Sequence, residues 1–264
     1  MSNAREAKRI VVKVGTSTLT HASGHINIRL MEKLVKVLAD IKNTDRELVL
    51  VSSGAIGVGM GKLGLRERPA TIPGKQAAAA VGQCELMYLY DKYFSEYNHT
   101  VGQVLLTRYS LDDPESRRNV RNTFEALFGM GAIPVVNEND TVATDEIRVG
   151  DNDTLSAIVT QIIQADALII LSDIDGLYTA DPAKDAAARL VPEVREITDA
   201  LMDTASGAGS SRGTGGMLTK LTAGRIALAA GADMYIVNGR NPDVLYDLTE
   251  GKPAGTHFIA REGC

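Results

Sequence analysis

Residues 9–17 read Arg9-Ile10-Val11-Val12-Lys13-Val14-Gly15-Thr16-Ser17. Residues 9–14 read as a buried strand, an apolar run from Ile10 to Val14 that a single lysine interrupts, and it ends on a glycine and two hydroxyls. Working outward, the same design recurs. Residues 47–51 form a second strand ending at Ser52-Ser53-Gly54, and 101–106 a third. A fourth over 132–136 ends in Asn137-Glu138-Asn139-Asp140, a fifth over 167–171 ends at Ser172-Asp173, and a sixth covers 233–237. Between them, Ile28, Met31, Leu34, Val35, Leu38 and Ile41 recur at helical spacing over 28–42. An alanine-rich helix follows Pro73 and Gly74 to about Tyr97, and further helices are expected over 116–130, 153–164, 217–230 and 242–250. Strands that alternate with helices predict the α/β class, a sandwich with a mainly parallel central sheet. Ligands in such sheets bind beyond the carboxyl ends of the strands, where the glycines and polar residues gather here. The polar segment 141–149 is expected to form a hairpin and the Gly/Ser-rich run 207–216 a loop.

Bulk composition narrows the function. Hydrophobic residues make up 44% and charged residues 23% of 264 residues, with 5% aromatics and no Trp, so the core is built from Val, Ile, Leu and Ala. The net charge of −5 speaks against a non-specific nucleic-acid binder and makes individually placed lysines informative. Cys84 and Cys264 lie far apart and the four histidines are scattered, so neither a zinc site nor a disulfide framework is expected, and a reducing cytoplasm fits. Met1 to Arg9 has no apolar signal region, and no run approaches the ~18 apolar residues of a membrane span. One domain over 1–264 is expected, since no linker or repeat divides the chain.

Five motifs carry chemistry, each with a plainer alternative. Lys13, inside an apolar strand and followed by Gly15, is either a phosphate-binding lysine or a side chain snorkelling from an edge strand. Ser52-Ser53-Gly54-Ala55-Ile56-Gly57 leaves room for a ligand at a helix start, or Ser53 simply caps that helix. Asn137-Glu138-Asn139-Asp140 and Val149-Gly150-Asp151-Asn152-Asp153 cluster carboxylates and amides. Asp140 suits an ammonium, Asn152 suits a carboxylate, and Asp153 either orients the lysines or caps its helix. Ser172-Asp173 and the segment to Pro182 offer groups for a base, a ribose or a metal, with Asp181-Pro182 read as a turn. Gly213-Thr214-Gly215-Gly216-Met217-Leu218-Thr219-Lys220 opens a helix as an anion cradle. Two lysines, glycine cradles and spare carboxylates are the parts that phosphoryl transfer uses. The match Gly59-Met60-Gly61-Lys62-Leu63-Gly64 to GxGxxG is rejected as a dinucleotide site, because it does not abut a strand. Arg117-Arg118-Asn119-Val120-Arg121 reads as a solvated helix face or subunit contact.

Taken in order and spacing, KVGTS, VSSGAIG, PVVNENDTVA, VGDNDTLSA, DGLYTADP and GTGGMLTK resemble the glutamate 5-kinase family of the amino-acid kinase superfamily, from about Lys8 to Phe258. The resemblance implies an open αβα sandwich with an acceptor-binding lobe over about 1–165 and a nucleotide-binding lobe over about 166–264. It implies transfer of the ATP γ-phosphoryl, with Mg²⁺ held mainly by the ATP phosphates, to the γ-carboxylate of L-glutamate. Lys13, Lys220 and Asp153 would be catalytic. Ser53, Gly54, Asn137, Asp140 and Asn152 would bind glutamate. Lys13, Gly15, Ser172, Asp173 and the run Thr214, Gly215, Gly216, Met217, Leu218, Thr219 and Lys220 would bind the nucleotide. It also implies feedback inhibition by proline, delivery of product to glutamyl-5-phosphate reductase, and a homodimer or homotetramer in the cytoplasm. Many members read Thr-Asp at Ser172-Asp173, and many carry a C-terminal PUA domain, which is not expected in this chain. Aspartate or N-acetylglutamate as acceptor, and a non-catalytic amino-acid sensor on the same fold, are the alternatives.

Overall fold

The computed structural model describes residues 4–21, 23–142, 152–206 and 216–260. The strands are β1 Arg9–Val14, β2 Glu47–Ser52, β3 Val101–Leu106, β4 Ile133–Glu138, β5 Ala167–Ser172, β6 Glu193–Val194, β7 Asp233–Asn238 and β8 Thr256–Phe258. They form one sheet in the order β3-β4-β2-β1-β5-β7-β8-β6. Pairing is parallel throughout except between β7 and β8. The helices are α1 Thr16–Leu19, α2 Ile28–Lys42, α3 Ala55–Leu63, α4 Ile72–Ser95, α5 Arg108–Asp112, α6 Pro114–Gly129, α7 Asn152–Ile163, α8 Asp199–Ser206, α9 Met217–Ala229 and α10 Val244–Thr249.

β1 lies inside the sheet, with Lys13 in register with Val51 of β2 and Ile170 of β5. Alternation along the strand sorts its side chains onto two faces. Ile10, Val12 and Val14 join Leu48, Leu50, Ile133 and Val135 in a core covered by Leu34 and Leu38 of α2 and Leu86, Tyr90 and Phe94 of α4. Val11, Val49, Val51, Leu168 and Ile170 face the other way, under Phe124 of α6, Leu155 and Val159 of α7, and Leu221 and Ala227 of α9. Lys13 therefore falls on the α7/α9 face by parity with Val11, while Asn137 falls on the α4 face by parity with Val135.

Two glycines set how closely α3 and α4 cross. A Cβ on Gly82 would meet the Ala55 carbonyl oxygen at 1.8 Å, and one on Gly59 would meet the Ala78 carbonyl oxygen at 1.8 Å. Gly59 belongs to the rejected GxGxxG match, and backbone contact between two helices is its use here. The expected strands lie within two residues of those found. β4 runs two residues further, because Asn137 and Glu138 continue the ladder opposite Leu105 and Leu106. Asp181 does sit in a turn, its Oδ1 accepting the Ala183 amide at 3.0 Å. Arg117 and Arg121 of α6 donate to Gln161 and Gln164 at 2.6 and 3.0 Å, so part of that arginine run ties α6 to α7 and its end. Most of the expected hairpin over 141–149, and the loop 207–216 except Gly216, lie outside the described residues.

Candidate active site

Asp153 opens α7 fully buried, at 0% exposure. Its Oδ1 lies 2.6 Å from Lys13 Nζ and its Oδ2 lies 3.0 Å from Lys220 Nζ. Both lysines are themselves buried, at 7% and 5% exposure. Burial of a lone charge is costly, so the arrangement stands only because each ammonium has the carboxylate. Burial alone would push the Asp153 carboxyl up, but Lys13 and then Lys220 outweigh it and hold the carboxyl below the usual aspartate range. Thr219 Oγ1 adds a third neighbour, 3.0 Å from Asp153 Oδ2 and 2.8 Å from the Gly216 carbonyl, its one proton serving either. Two cations on one anion leave one surplus positive charge at the end of the central strand. The snorkelling reading of Lys13 fails because β1 is not an edge strand. Asp153 is the second residue of α7, inside the helix, and its oxygens meet the two lysines and Thr219.

One residue earlier, Asn152 turns to the other side. Its Nδ2 lies 2.8 Å from the Ser52 carbonyl, 2.8 Å from Ser53 Oγ and 3.0 Å from Asn137 Oδ1. Asn137 Oδ1 also accepts the Glu138 amide at 2.9 Å, and its Nδ2 donates to Gln83 Oε1 on α4 at 2.8 Å. Ser52 Oγ lies 2.8 Å from the Tyr90 hydroxyl, whose pKa burial raises against the opposing effect of that bond. Ser53 is not the N-cap of α3. Gly54 holds that position at φ 99°, in the left-handed region, and no side chain caps the helix.

These groups open on a cavity of ≈ 940 Å³ at the carboxyl edge of the sheet. Of the residues expected from sequence, Lys13, Gly15, Ser53, Gly54, Asn137, Asp140, Asn152, Asp153, Ser172, Asp173, Gly216, Met217 and Lys220 all line it. Gly15 and Gly216 precede α1 and α9, and neither helix has a side-chain cap, so backbone amides at this edge are left for a ligand. Leu218 is turned outward, 39% exposed. Thr214 and Gly215 lie outside the described residues. Sequence reading missed Arg68 and Arg240, which also line the cavity. Arg240 follows β7 at the same edge as every other motif, which could have marked it; Arg68 sits in a polar loop with no such signal.

The arrangement can hold polyanionic phosphate between two lysines beside a pocket of hydrogen-bonding amides and hydroxyls, with Asp140 also in the lining. Among the described residues, no group of three His, Cys, Asp or Glu side chains is placed to hold a metal. Comparison with known proteins agrees with this chemistry. The model of the amino acid kinase family matches residues 8–238. A glutamate 5-kinase of Clostridium perfringens is 54% identical over 98% of this chain and 98% of its own. One from Listeria innocua is 52% identical over 98% and 95%. Among solved structures, an isopentenyl phosphate kinase from T. acidophilum superposes with a TM-score of 0.64 at 18% identity, covering 95% of this chain and 99% of that one. A UMP kinase from Bacillus anthracis gives 0.64 at 14% identity over 97% of each; both share the fold. No described helix is long and apolar enough to cross a membrane. With a matched family model over most of its length and relatives at half identity, this chain belongs to the amino acid kinase family.

Proposed function

We propose that the chain transfers the γ-phosphoryl of ATP to the γ-carboxylate of L-glutamate, giving L-glutamyl 5-phosphate, the first step of proline biosynthesis. The observation that carries this is the buried Lys13–Asp153–Lys220 triad opening on the cavity. Phosphoryl transfer asks a protein mainly for positioning and for positive charge around the moving group, which the two lysines supply. A carboxylate oxygen attacks phosphorus, the bond to the ADP oxygen breaks, and no proton has to leave the acceptor. That suits a site whose buried carboxylate is held ionised by two ammonium groups and is a poor general base.

In this reading Lys13 and Lys220 flank the phosphoryl group and Asp153 fixes both. Ser53, Gly54, Asn137 and Asn152 hold the glutamate, and Asp140 meets its ammonium; Asn152 contributes its Oδ1 to a ligand N–H and not a donor to a carboxylate, because its Nδ2 is taken up by Ser52, Ser53 and Asn137. Gly15 and the segment Thr214–Lys220 hold the phosphates, and Ser172 and Asp173 hold the nucleoside. The acceptor side spans about 1–165 and the nucleotide side about 166–264. Both Asp153 oxygens meet lysines, so Mg²⁺ would be held mainly by the ATP phosphates and would neutralise part of their charge. The family resemblance extends the reading to proline as feedback inhibitor, a homodimer or homotetramer, and a cytoplasmic enzyme. A labile acyl phosphate favours direct delivery to glutamyl-5-phosphate reductase.

The test is hydroxylamine trapping with ATP, Mg²⁺ and, separately, L-glutamate, L-aspartate and N-acetyl-L-glutamate. Hydroxamate from glutamate well above the other two is expected. A better yield from aspartate or N-acetylglutamate would reassign the acceptor, and none from any would point to a sensor.

A further inference from the structure

Gln83 lies on α4, is half-buried, and is not among the residues lining the cavity. A hydrogen bond joins it to the acceptor pocket, its Oε1 accepting from Asn137 Nδ2 at 2.8 Å. The polarity of that contact is forced. The Glu138 N–H can only donate, so the atom of Asn137 that meets it at 2.9 Å must be Oδ1. The Ser52 carbonyl can only accept, so the atom of Asn152 that meets it at 2.8 Å must be Nδ2. Asn137 Oδ1 then receives Asn152 Nδ2 at 3.0 Å, and Asn137 Nδ2 is left needing an acceptor, which Gln83 Oε1 provides. Two backbone groups thus fix every amide in the chain Gln83–Asn137–Asn152. The far end of that chain is Asn152 Oδ1, a buried acceptor with no hydrogen-bond partner among the described residues. A buried acceptor without a partner is costly, and a ligand N–H satisfies it.

The helix that carries Gln83 is itself held in place. Gly82 lets α4 approach the Ala55 carbonyl closer than any side chain allows, which sets how closely α4 crosses α3. Asn137 is 2% exposed and stands on β4, so water is a poor substitute for Gln83 at its amide.

We infer that Gln83 is a positioning residue for acceptor recognition: it accepts the one Asn137 donor that the backbone contacts leave over, and so keeps Asn137, and Asn152 bonded to it, in the orientation those contacts set. It acts on the pocket through hydrogen bonds and touches neither lysine, so it governs acceptor affinity and not the transfer step. The inference rests on the reading of this cavity as the glutamate site.

The experiment measures kcat and both KM values for wild type, Gln83→Met, Gln83→Glu and Asn137→Ala, and for Gln83→Met in the Asn137→Ala background. Methionine keeps length and removes the acceptor; glutamate keeps the acceptor. Gln83→Met should raise the KM for glutamate about tenfold, the scale of one buried donor left unpaired, while kcat and the KM for ATP stay within about twofold. Gln83→Glu should recover most of that loss, and the effect of Gln83→Met should vanish once Asn137 is alanine. An unchanged KM for glutamate, a fall in kcat as large as the rise in KM, equal damage from both Gln83 variants, or an effect that persists without Asn137 would each overturn the inference. Wild type that does not turn over glutamate would sink the functional reading and this inference with it.

Discussion

The two faces of the sheet meet the cavity with opposite chemistries. On the α7/α9 face the site is charged: Lys13, Asp153 and Lys220, buried and paired. On the α4 face it is neutral: Ser52, Asn137, Gln83 and Tyr90, joined by hydrogen bonds. Asn152 and Asp153 are neighbours in the chain and serve one face each, because α7 begins where the strands end. Charge suits a group whose own charge moves during reaction, since stabilisation of a transition state depends on electrostatics placed in advance. Neutral amides suit recognition, because a buried hydrogen-bonding pocket rejects a molecule that leaves its groups unpaired. The division predicts that damage to one face appears in kcat and damage to the other in the KM for glutamate.

Replacing Lys220 with alanine should break the charged face most severely. The loss of one donor to developing charge costs about 10²–10³-fold in kcat, while glutamate binding measured by calorimetry should change little. Equal loss of glutamate affinity would mean that the faces are not separable.

Acid should act on the charged face through Asp153. The Asp153 carboxyl is held below its ordinary range, so its contribution to stability is complete above about pH 4 and is lost as the pH falls through its folded value. The difference in melting temperature between wild type and Asp153→Asn should be constant near neutrality and shrink in acid. A gap that widens in acid would reverse the sign of this coupling.

Gly82→Ala tests the neutral face through its support. The added methyl meets backbone and not a flexible side chain, so α4 must shift, at a cost on the scale of about 1–3 kcal/mol. Melting temperature should fall, and in the folded fraction the KM for glutamate should rise while the KM for ATP holds. Ser53→Ala removes one acceptor from Asn152 Nδ2, which keeps the Ser52 carbonyl and Asn137. It should raise the KM for glutamate only severalfold, in line with about 1 kcal/mol for one hydrogen bond.

Much of the charged face was legible in sequence. A lysine inside an apolar strand demands a buried partner, and Asp153 and Lys220 stand at the starts of helices next to glycines. The neutral face was less so. Asn137 looked like a loop residue because polar side chains end an apolar run, yet the ladder with β3 carries it into β4 and fixes it. Gln83 gave no signal, since a lone glutamine in an alanine-rich helix has no periodicity and its partner lies 54 positions away. β6 and β8, at two and three residues, and α1 and α5, at four and five, are too short for hydrophobic periodicity to show.

The central claim is that a glutamate carboxylate oxygen is the nucleophile toward ATP. L-glutamate labelled with oxygen-18 in its γ-carboxylate tests it. Hydroxylamine attacks the acyl carbon of the product and expels phosphate together with the bridging oxygen. The account predicts inorganic phosphate carrying one oxygen-18 atom, matched mole for mole by hydroxamate. Unlabelled phosphate released without hydroxamate would show that water, and not glutamate, receives the phosphoryl group, and would contradict the account.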